Sequence, residues 1–150
     1  MKIEKISDAG LNFIANHEGL VLNAYLCPAK VPTIGYGTTR YPNRSKVQLG
    51  DKITKDDALE LLKFDVWKFE LSVDTMTTDK VNQNQFDALV SFAYNLGSDA
   101  LKKSTLLKVV NDNPNDLRIK KEFQKWIYAG GKKMGGLIKR RQDESNLYFR

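Results

Sequence analysis

Cysteine is nearly absent from this chain. Cys27 is the single one, so no internal disulfide framework can staple the fold. Histidine is as scarce, with only His17. No Cys/His set stands at zinc-finger spacing, and neither a metal nor another cofactor is expected. Long apolar runs are missing too. Met1-Lys2-Ile3-Glu4-Lys5-Ile6 is too polar for a signal peptide or an anchor, so the expectation is a chain without stable membrane insertion or its own route across a bilayer. There is no internal repeat, no low-complexity segment and no aromatic-basic RNA motif. Nucleic acid is therefore not an expected partner.

What is present fits one soluble globular domain. A chain of 150 residues buries about 68–70% of the surface its unfolded form exposes. A hydrophobic content of 41% is enough for such a core, and 28% charged residues suffices for its surface. The formal net charge of +6 favours polyanionic partners, among them the acidic bacterial wall. For charge alone, a solvated basic surface that keeps the protein soluble is the blander account.

Along the chain, Ser7 is placed to cap a first helix, with Asp8 in its favourable first turn. Ile6, Leu11, Ile14 and Ala15 form its apolar stripe, and Gly19 is expected to end it as the C′ residue. Residues 20–50 change character. Pro28, Pro32, Gly35, Gly37, Pro42 and Gly50 exclude a long helix and suit short hairpin strands. Thr54-Lys55-Asp56-Asp57 resembles a helix start with an acidic N3 position. Ala58, Leu61, Leu62, Val66, Phe69 and Val73 then run at helical spacing for about 20 residues, or about 30 Å. Beyond Asp79 the pattern reads as wholly helical. Its stripes are Phe86, Leu89, Val90 and Ala93; Leu106, Leu107, Val109 and Val110; Phe123, Trp126 and Ile127; and Leu137, Ile138 and Leu147.

The chemistry-bearing constellation is Glu18, then eight residues, Cys27, five more, and Thr33 opening Thr33-Ile34-Gly35-Tyr36-Gly37. Glu18 falls at a helix C-terminus, where the macrodipole disfavours negative charge, a setting that suits a proton donor. Cys27 is a nucleophile or base once ionised. Thr33 offers a hydroxyl to hold a water. A donor, a nucleophile or base and a hydroxyl within sixteen positions suit cleavage of a glycosidic bond. Each has a plainer reading when taken alone. A helix-end Glu is usually a solvated charge, a lone Cys a small buried apolar residue, and a Thr a strand former. His17 points away from its neighbour on a helix and is given no catalytic role.

This stretch resembles the phage-type lysozymes, the endolysins of T-even and lambdoid phages. Their signature is Glu, eight residues, Asp or Cys, five residues and Thr, here in the Cys form. Further blocks match in family order: Gln85-Phe86-Asp87-Ala88-Leu89-Val90-Ser91-Phe92-Ala93-Tyr94-Asn95-Leu96-Gly97, then Ser104-Thr105-Leu106-Leu107, then Trp126, Gly130-Gly131, Gly136-Leu137-Ile138-Lys139-Arg140-Arg141 and Glu144. One departure is Thr38, where many relatives carry His, so any ion pair made by that His is lost.

The resemblance implies an α+β, mainly helical fold with two lobes. A small β-hairpin lobe at about 12–55, a connecting helix at about 55–76 and a helical lobe at about 80–150 with the N-terminal helix would share the single domain 1–150. It implies a muramidase that hydrolyses the β-1,4 bond between N-acetylmuramic acid and N-acetylglucosamine. Glu18 would be general acid, Cys27 nucleophile or base, and Thr33 the hydroxyl on the water or on Cys27. Thr39, Tyr94, Asn95 and Thr105 fall near positions that line the family's glycan cleft. One arginine of Lys139-Arg140-Arg141 would be directed towards the catalytic Glu, although a solvated basic face is the simpler account of that run. The partner would be peptidoglycan, met by a monomer held in the host cytoplasm until a holin or other export component opens the way. A lytic transglycosylase on the same scaffold, a non-catalytic wall-binding module and a bacteriocin-type killing domain are the rival readings.

If the +6 charge assists encounter with anionic walls, salt weakens that help as the Debye length falls from about 10 Å at 0.1 M to about 3 Å at 1 M. Clearing of intact walls is expected to decline over that range, and cleavage of short uncharged chitin-like oligomers to change much less. Equal salt responses on the two substrates rule this role out.

Overall fold

The computed structural model describes residues 2–150. In chain order the elements are α1 (Asp8–His17), β1 (Val21–Leu26), β2 (Pro32–Gly35), α2 (Lys55–Met76), α3 (Gln83–Leu96), α4 (Ser98–Lys103), α5 (Thr105–Asp112), α6 (Ile119–Gln124), β3 (Tyr128–Ala129), β4 (Lys132–Lys133) and α7 (Gly135–Tyr148). This is the mainly helical α+β arrangement expected, with a hairpin early and helices after it. The chain divides into two compact units: Leu11–Trp67, and the residues up to Gly10 together with Lys68–Arg150.

Capping chemistry sets the helix starts. The Gly10 N–H donates to Ser7 Oγ at 3.0 Å, so Ser7 caps α1. Asp57 N–H donates to Thr54 Oγ1 at 3.1 Å while Thr54 N–H donates to Asp57 Oδ2 at 3.2 Å, a capping box with Asp in place of the usual Glu. Asn82 and Gln85 close a second box at the start of α3. Gly19 does not play its expected part. Its φ is not positive, and α1 ends instead with the Glu18 N–H donating to the carbonyls of Ile14 and Ala15.

In the unit Leu11–Trp67, β1 and β2 pair antiparallel with Tyr25 opposite Thr33 and Leu26 opposite Pro32. Ile14, Ile34, Val47, Ala58, Leu62 and Val66 make its core. Gly35, at φ +68°, lies where a Cβ would meet Ala58 Cβ at 3.3 Å, so the strand end needs glycine both for its conformation and for its approach to α2. Buried Thr38 donates to Asp65 Oδ2 on α2 at 2.8 Å. A hydroxyl–carboxylate hydrogen bond thus stands where an imidazolium–carboxylate pair would need a histidine. Two five-residue turns in this unit share one build. Lys30 N–H donates to Cys27 O at 2.8 Å and Cys27 N–H to Val31 O at 3.1 Å; Arg44 N–H donates to Tyr41 O at 2.8 Å and Tyr41 N–H to Ser45 O at 2.9 Å. Each turn has proline at its second position and a long basic residue in the left-handed region, Lys30 at φ 61° and Arg44 at φ 71°. Such strain costs roughly 1–3 kcal/mol per residue. Tyr41 anchors its turn by donating to Asp51 Oδ2 at 2.7 Å; burial first, then that carboxylate, pushes its hydroxyl up to about 12.

The second unit is built on α3, which packs principally on α7. Phe86, Leu89, Phe92, Leu101, Leu106, Ile119 and Phe123 are fully buried. Phe92 meets Phe123 and Trp126 edge to face, with centroids 6.0 and 5.4 Å apart. Two sequence expectations fail here. The region is not wholly helical: Tyr128–Ala129 and Lys132–Lys133 pair as a small hairpin across Gly130 and Gly131, both at positive φ as a tight two-residue turn requires. The stripe on α7 is also out of phase. Ile138 is exposed, and the buried face carries Arg140, Arg141, Glu144, Ser145, Leu147 and Tyr148.

Where the sequence left either a solvated basic face or an arginine directed to the catalytic Glu, Arg140 and Arg141 are buried in an ionic network on Glu144. Arg141 Nη1 donates to Glu144 Oε1 at 2.8 Å, Arg140 Nε to Glu144 Oε2 at 3.3 Å, and Ser91 Oγ to Glu144 Oε2 at 2.6 Å. Burial pushes the Glu144 carboxyl up and the Arg141 guanidinium down, and their mutual attraction opposes both shifts. The Arg141 guanidinium also lies 5.3 Å from the Phe92 ring centroid. Lys139, next to them, is exposed and pairs with Asp143 at 3.1 Å. Glu144→Ala leaves two buried guanidiniums uncompensated and is expected to cost about 3–5 kcal/mol, whereas Lys139→Ala costs less than about 1 kcal/mol. Urea unfolding of both variants checks the contrast, and equal midpoints would remove the network from the stability of this unit.

Candidate active site

Glu18, Cys27, Thr33 and Thr39 all belong to the unit Leu11–Trp67. Glu18 is half-buried on the residue that follows the last turn of α1, its own N–H still bonded into the helix. Its backbone is therefore set by the helix and its side chain leaves at the carbonyl end of the dipole. His17, the residue before it, lays its ring against Phe13 with centroids 4.9 Å apart.

Cys27 follows the last residue of β1, and Thr33 is the second residue of β2. The hairpin register brings the two side chains within hydrogen-bond reach of each other. The turn between them does more than connect strands. With Pro28 at its second position and Lys30 left-handed, it folds the backbone N–H groups of Ala29 and Val31 back towards the Cys27 sulfur. This is the geometry by which a short acceptor side chain caps its own turn. Donation from Val31, foremost, holds the thiol below the ordinary cysteine value. Burial pushes the other way and is outweighed, with Ala29, the Thr33 hydroxyl and the Cys27 N–H adding to the lowering. The sulfur is half-buried, so reagents in solution can meet it.

Thr33 is almost fully buried, and its hydroxyl donates to the Val31 carbonyl at 2.9 Å. A hydroxyl has one hydrogen. It cannot serve the carbonyl and a thiolate together. In this structure the Val31 carbonyl holds that hydrogen. The pair is thus a thiol whose anion is met by preset donors, which is what a nucleophile or base near neutral pH requires.

The remaining sequence candidates are placed as follows. Thr39 is exposed just past the tight Ile34–Thr38 pairing. Tyr94, Asn95 and Thr105 belong to the other unit. Tyr94 is half-buried with its ring edge-on to Phe69 at 5.4 Å. Asn95 is exposed, and its side-chain oxygen accepts from Arg141 Nη2. Thr105 is exposed at the first position of α5, behind the Ser104 cap. Trp126 is half-buried on Phe92, an extension of the core as expected. Sequence reasoning missed the backbone donors of Ala29 and Val31, for which Cys-Pro was the only signal. It missed the support of Asn95 by Arg141 and Glu144, for which Arg141 and Glu144 three apart on a helix was the signal. No group of three or more His, Cys, Asp or Glu that could hold a metal occurs among the described residues.

Comparison with known proteins identifies the family and the fold. Residues 15–144 match the family model described as phage lysozyme. The endolysin of Bacillus phage B103 is 45% identical over 96% of this chain, and the chain spans about half of that relative, 54% of its length. The endolysin of Acyrthosiphon pisum secondary endosymbiont phage 1 is 40% identical, with 95% of this chain and 97% of the relative covered. The crystal structure of a point mutant of P22 lysozyme superposes with a TM-score of 0.89 at 33% identity, over 97% of this chain and 99% of that one. In its sequence blocks, its fold and its length of match, the chain belongs to the phage lysozyme family.

Proposed function

We propose that the chain is an endolysin that hydrolyses the β-1,4 bond between N-acetylmuramic acid and N-acetylglucosamine in bacterial peptidoglycan, with Cys27 standing where many relatives use Asp. The observation that carries this reading is the Cys27 turn: in a chain of this family, the motif residue is surrounded by donors that favour its anion. Glu18 protonates the leaving oxygen as the bond breaks. The Cys27 thiolate faces the developing oxocarbenium charge, and Thr33 orients the sulfur or the water. Attack by sulfur on the anomeric carbon retains its configuration, and activation of a water inverts it. Thr39, Tyr94, Asn95 and Thr105 bind glycan. The protein works as a monomer, and reaches the wall from the host cytoplasm through a holin or comparable component. No described helix is long and apolar enough to cross a membrane.

The test is digestion of defined peptidoglycan. A hydrolase leaves a reducing muramic end, and an anhydro sugar in its place would transfer the reading to a transglycosylase. Proton NMR of fresh products assigns the stereochemistry.

Glu18→Gln keeps size and removes the donated proton, so wall clearing is expected to fall by about 10²–10⁴ with the unfolding transition unchanged. A folded Glu18→Gln protein that keeps more than about a tenth of the activity refutes the assignment.

Cys27→Asp is expected to preserve substantial activity, because a carboxylate accepts from the same Ala29 and Val31 N–H groups; Cys27→Ala is expected to lose most of it. The pH dependence sharpens the contrast. Activity carried by the thiolate rises with pH through the thiol's pKa, which the Val31 N–H lowers foremost, while an Asp is ionised above its reference value of about 3.9. The ratio of Cys27→Asp to wild-type activity should therefore climb as pH falls from 8 to 5. A flat ratio, or a stable and active Cys27→Ala, ends the catalytic role of the sulfur.

A further inference from the structure

α1 is a helix of 10 residues, about 15 Å long, and Glu18 follows its last turn. Its first turn is held by more than a cap. Ser7 Oγ accepts from the Gly10 N–H at 3.0 Å and itself donates to Asp87 Oδ2 on α3. The Ser7 N–H donates to Asp87 Oδ1 at 3.0 Å, and Gln83 Nε2 donates to the same oxygen at 2.8 Å. One residue earlier, the Ile6 N–H donates to Glu70 Oε2 on α2 at 2.7 Å. Both carboxylates are buried, Asp87 at 1% exposure and Glu70 at 6%. All these groups belong to the unit formed by the residues up to Gly10 and Lys68–Arg150, whereas Glu18 belongs to the unit Leu11–Trp67.

Capping alone does not call for this arrangement. A serine at the cap satisfies a first turn with its own hydroxyl and needs no carboxylate behind it. Burying a carboxylate is unfavourable unless it is well bonded. Here the bonds of Asp87 go mainly to the entry of α1. Gly10 shows how close that seating is: a Cβ there would lie 2.5 Å from Asp87 Cγ and 2.6 Å from Asp87 Oδ2. Glycine is less stable than alanine within a helix, so its smallness serves the approach to Asp87 and not the helix itself.

A stiff helix pinned at its first turn fixes where its last turn lies. Resting on Glu18 as general acid in the reading above, we propose that Asp87 is a positioning residue. It sets the seat of α1 and, through that helix, the place of the Glu18 carboxyl. Glu70 supports it by holding Ile6. Asp87 is too deeply buried to touch substrate. A proton donor must come within hydrogen-bond reach of the leaving oxygen, and a misplacement of about 1 Å lowers a rate by as much as about 10²-fold. Loss of the seat is therefore read in kcat and not in substrate affinity.

The test is steady-state cleavage of soluble, un-cross-linked peptidoglycan strands, well below the unfolding transition of each variant. Asp87→Ala is expected to lower kcat by about 10- to 100-fold with KM within about twofold of wild type. Asp87→Asn keeps an acceptor for the Ser7 and Gln83 donors, so it should recover most of that loss. Gly10→Ala leaves Asp87 in place and pushes α1 away from it. It should reproduce the kcat loss even where Asp87→Ala does not fold. Val110→Ala, in the core of the same unit, should lower the melting temperature and leave kcat unchanged. A folded Asp87→Ala or Gly10→Ala protein with wild-type kcat overturns the positioning role. So does a KM that rises as far as kcat falls, or a Val110→Ala protein that loses kcat as the others do. If Glu18→Gln itself keeps full activity on these strands, the acid assignment fails instead, whatever Asp87 does.

Discussion

The turn that carries the Ala29 and Val31 N–H groups back towards the Cys27 sulfur is the constraint that shapes this end of the hairpin. A thiol has a reference pKa near 8.5 and is a poor anion at neutral pH. The turn Cys27–Pro28–Ala29–Lys30–Val31 lowers it with peptide dipoles, Val31 first among them. The proline fixes φ at the second position, and the left-handed Lys30 completes the reversal. Strain at Lys30 and activation at Cys27 are thus two aspects of one backbone path. On the proposed reading, the same path would serve Asp as well as Cys at this position. Each is a short side chain with one acceptor group, able to take hydrogen bonds from the residues two and four further on.

In the helical unit the governing term is different. Arg140, Arg141 and Glu144 are buried together, where an apolar trio would be as stable or more so. Such a network gives fixed geometry. Arg141 holds the Asn95 side chain, and Glu144 holds Arg141. An exposed polar side chain at the end of α3 is thereby supported from the interior, and its orientation does not rest on surface contacts alone.

Much of this was legible in the sequence, where local chemistry decides local structure. Ser7, Thr54 and Asp57 announce their helix starts because caps involve residues three apart. The core of α2 follows period 3.6 because its neighbours leave one face dry. The motif from Glu18 to Thr33 was legible as a pattern, but the work of the turn inside it was not. Its donors are backbone groups, and these carry no residue-type signature. The phase of α7 was misread for a related reason. Periodicity counts apolar residues, and this helix buries charges that pair with one another and with Ser91 and Asn95 of α3. Gly19 was misread because a glycine after a helix is common at C′ without being required there. The small hairpin was within reach: Gly130-Gly131 between Tyr128-Ala129 and Lys132-Lys133 is a turn signal, but strands of two residues lie below the length at which alternation can be recognised.

The two strained turns separate what a fold needs from what a site needs. Their hydrogen bonding is the same, their proline stands at the same position, and neither needs a long cation for its geometry. If packing alone had chosen the fourth residue, glycine or asparagine would serve in both. Instead a lysine and an arginine occupy the left-handed position, in a stretch with no acid to pair them. Backbone strain at a solvent-exposed turn is a standing loss of stability, and it recurs here twice with the same sign of charge. The common factor is a basic side chain at the left-handed position, in a stretch from 19 to 50 that holds cations and no acid.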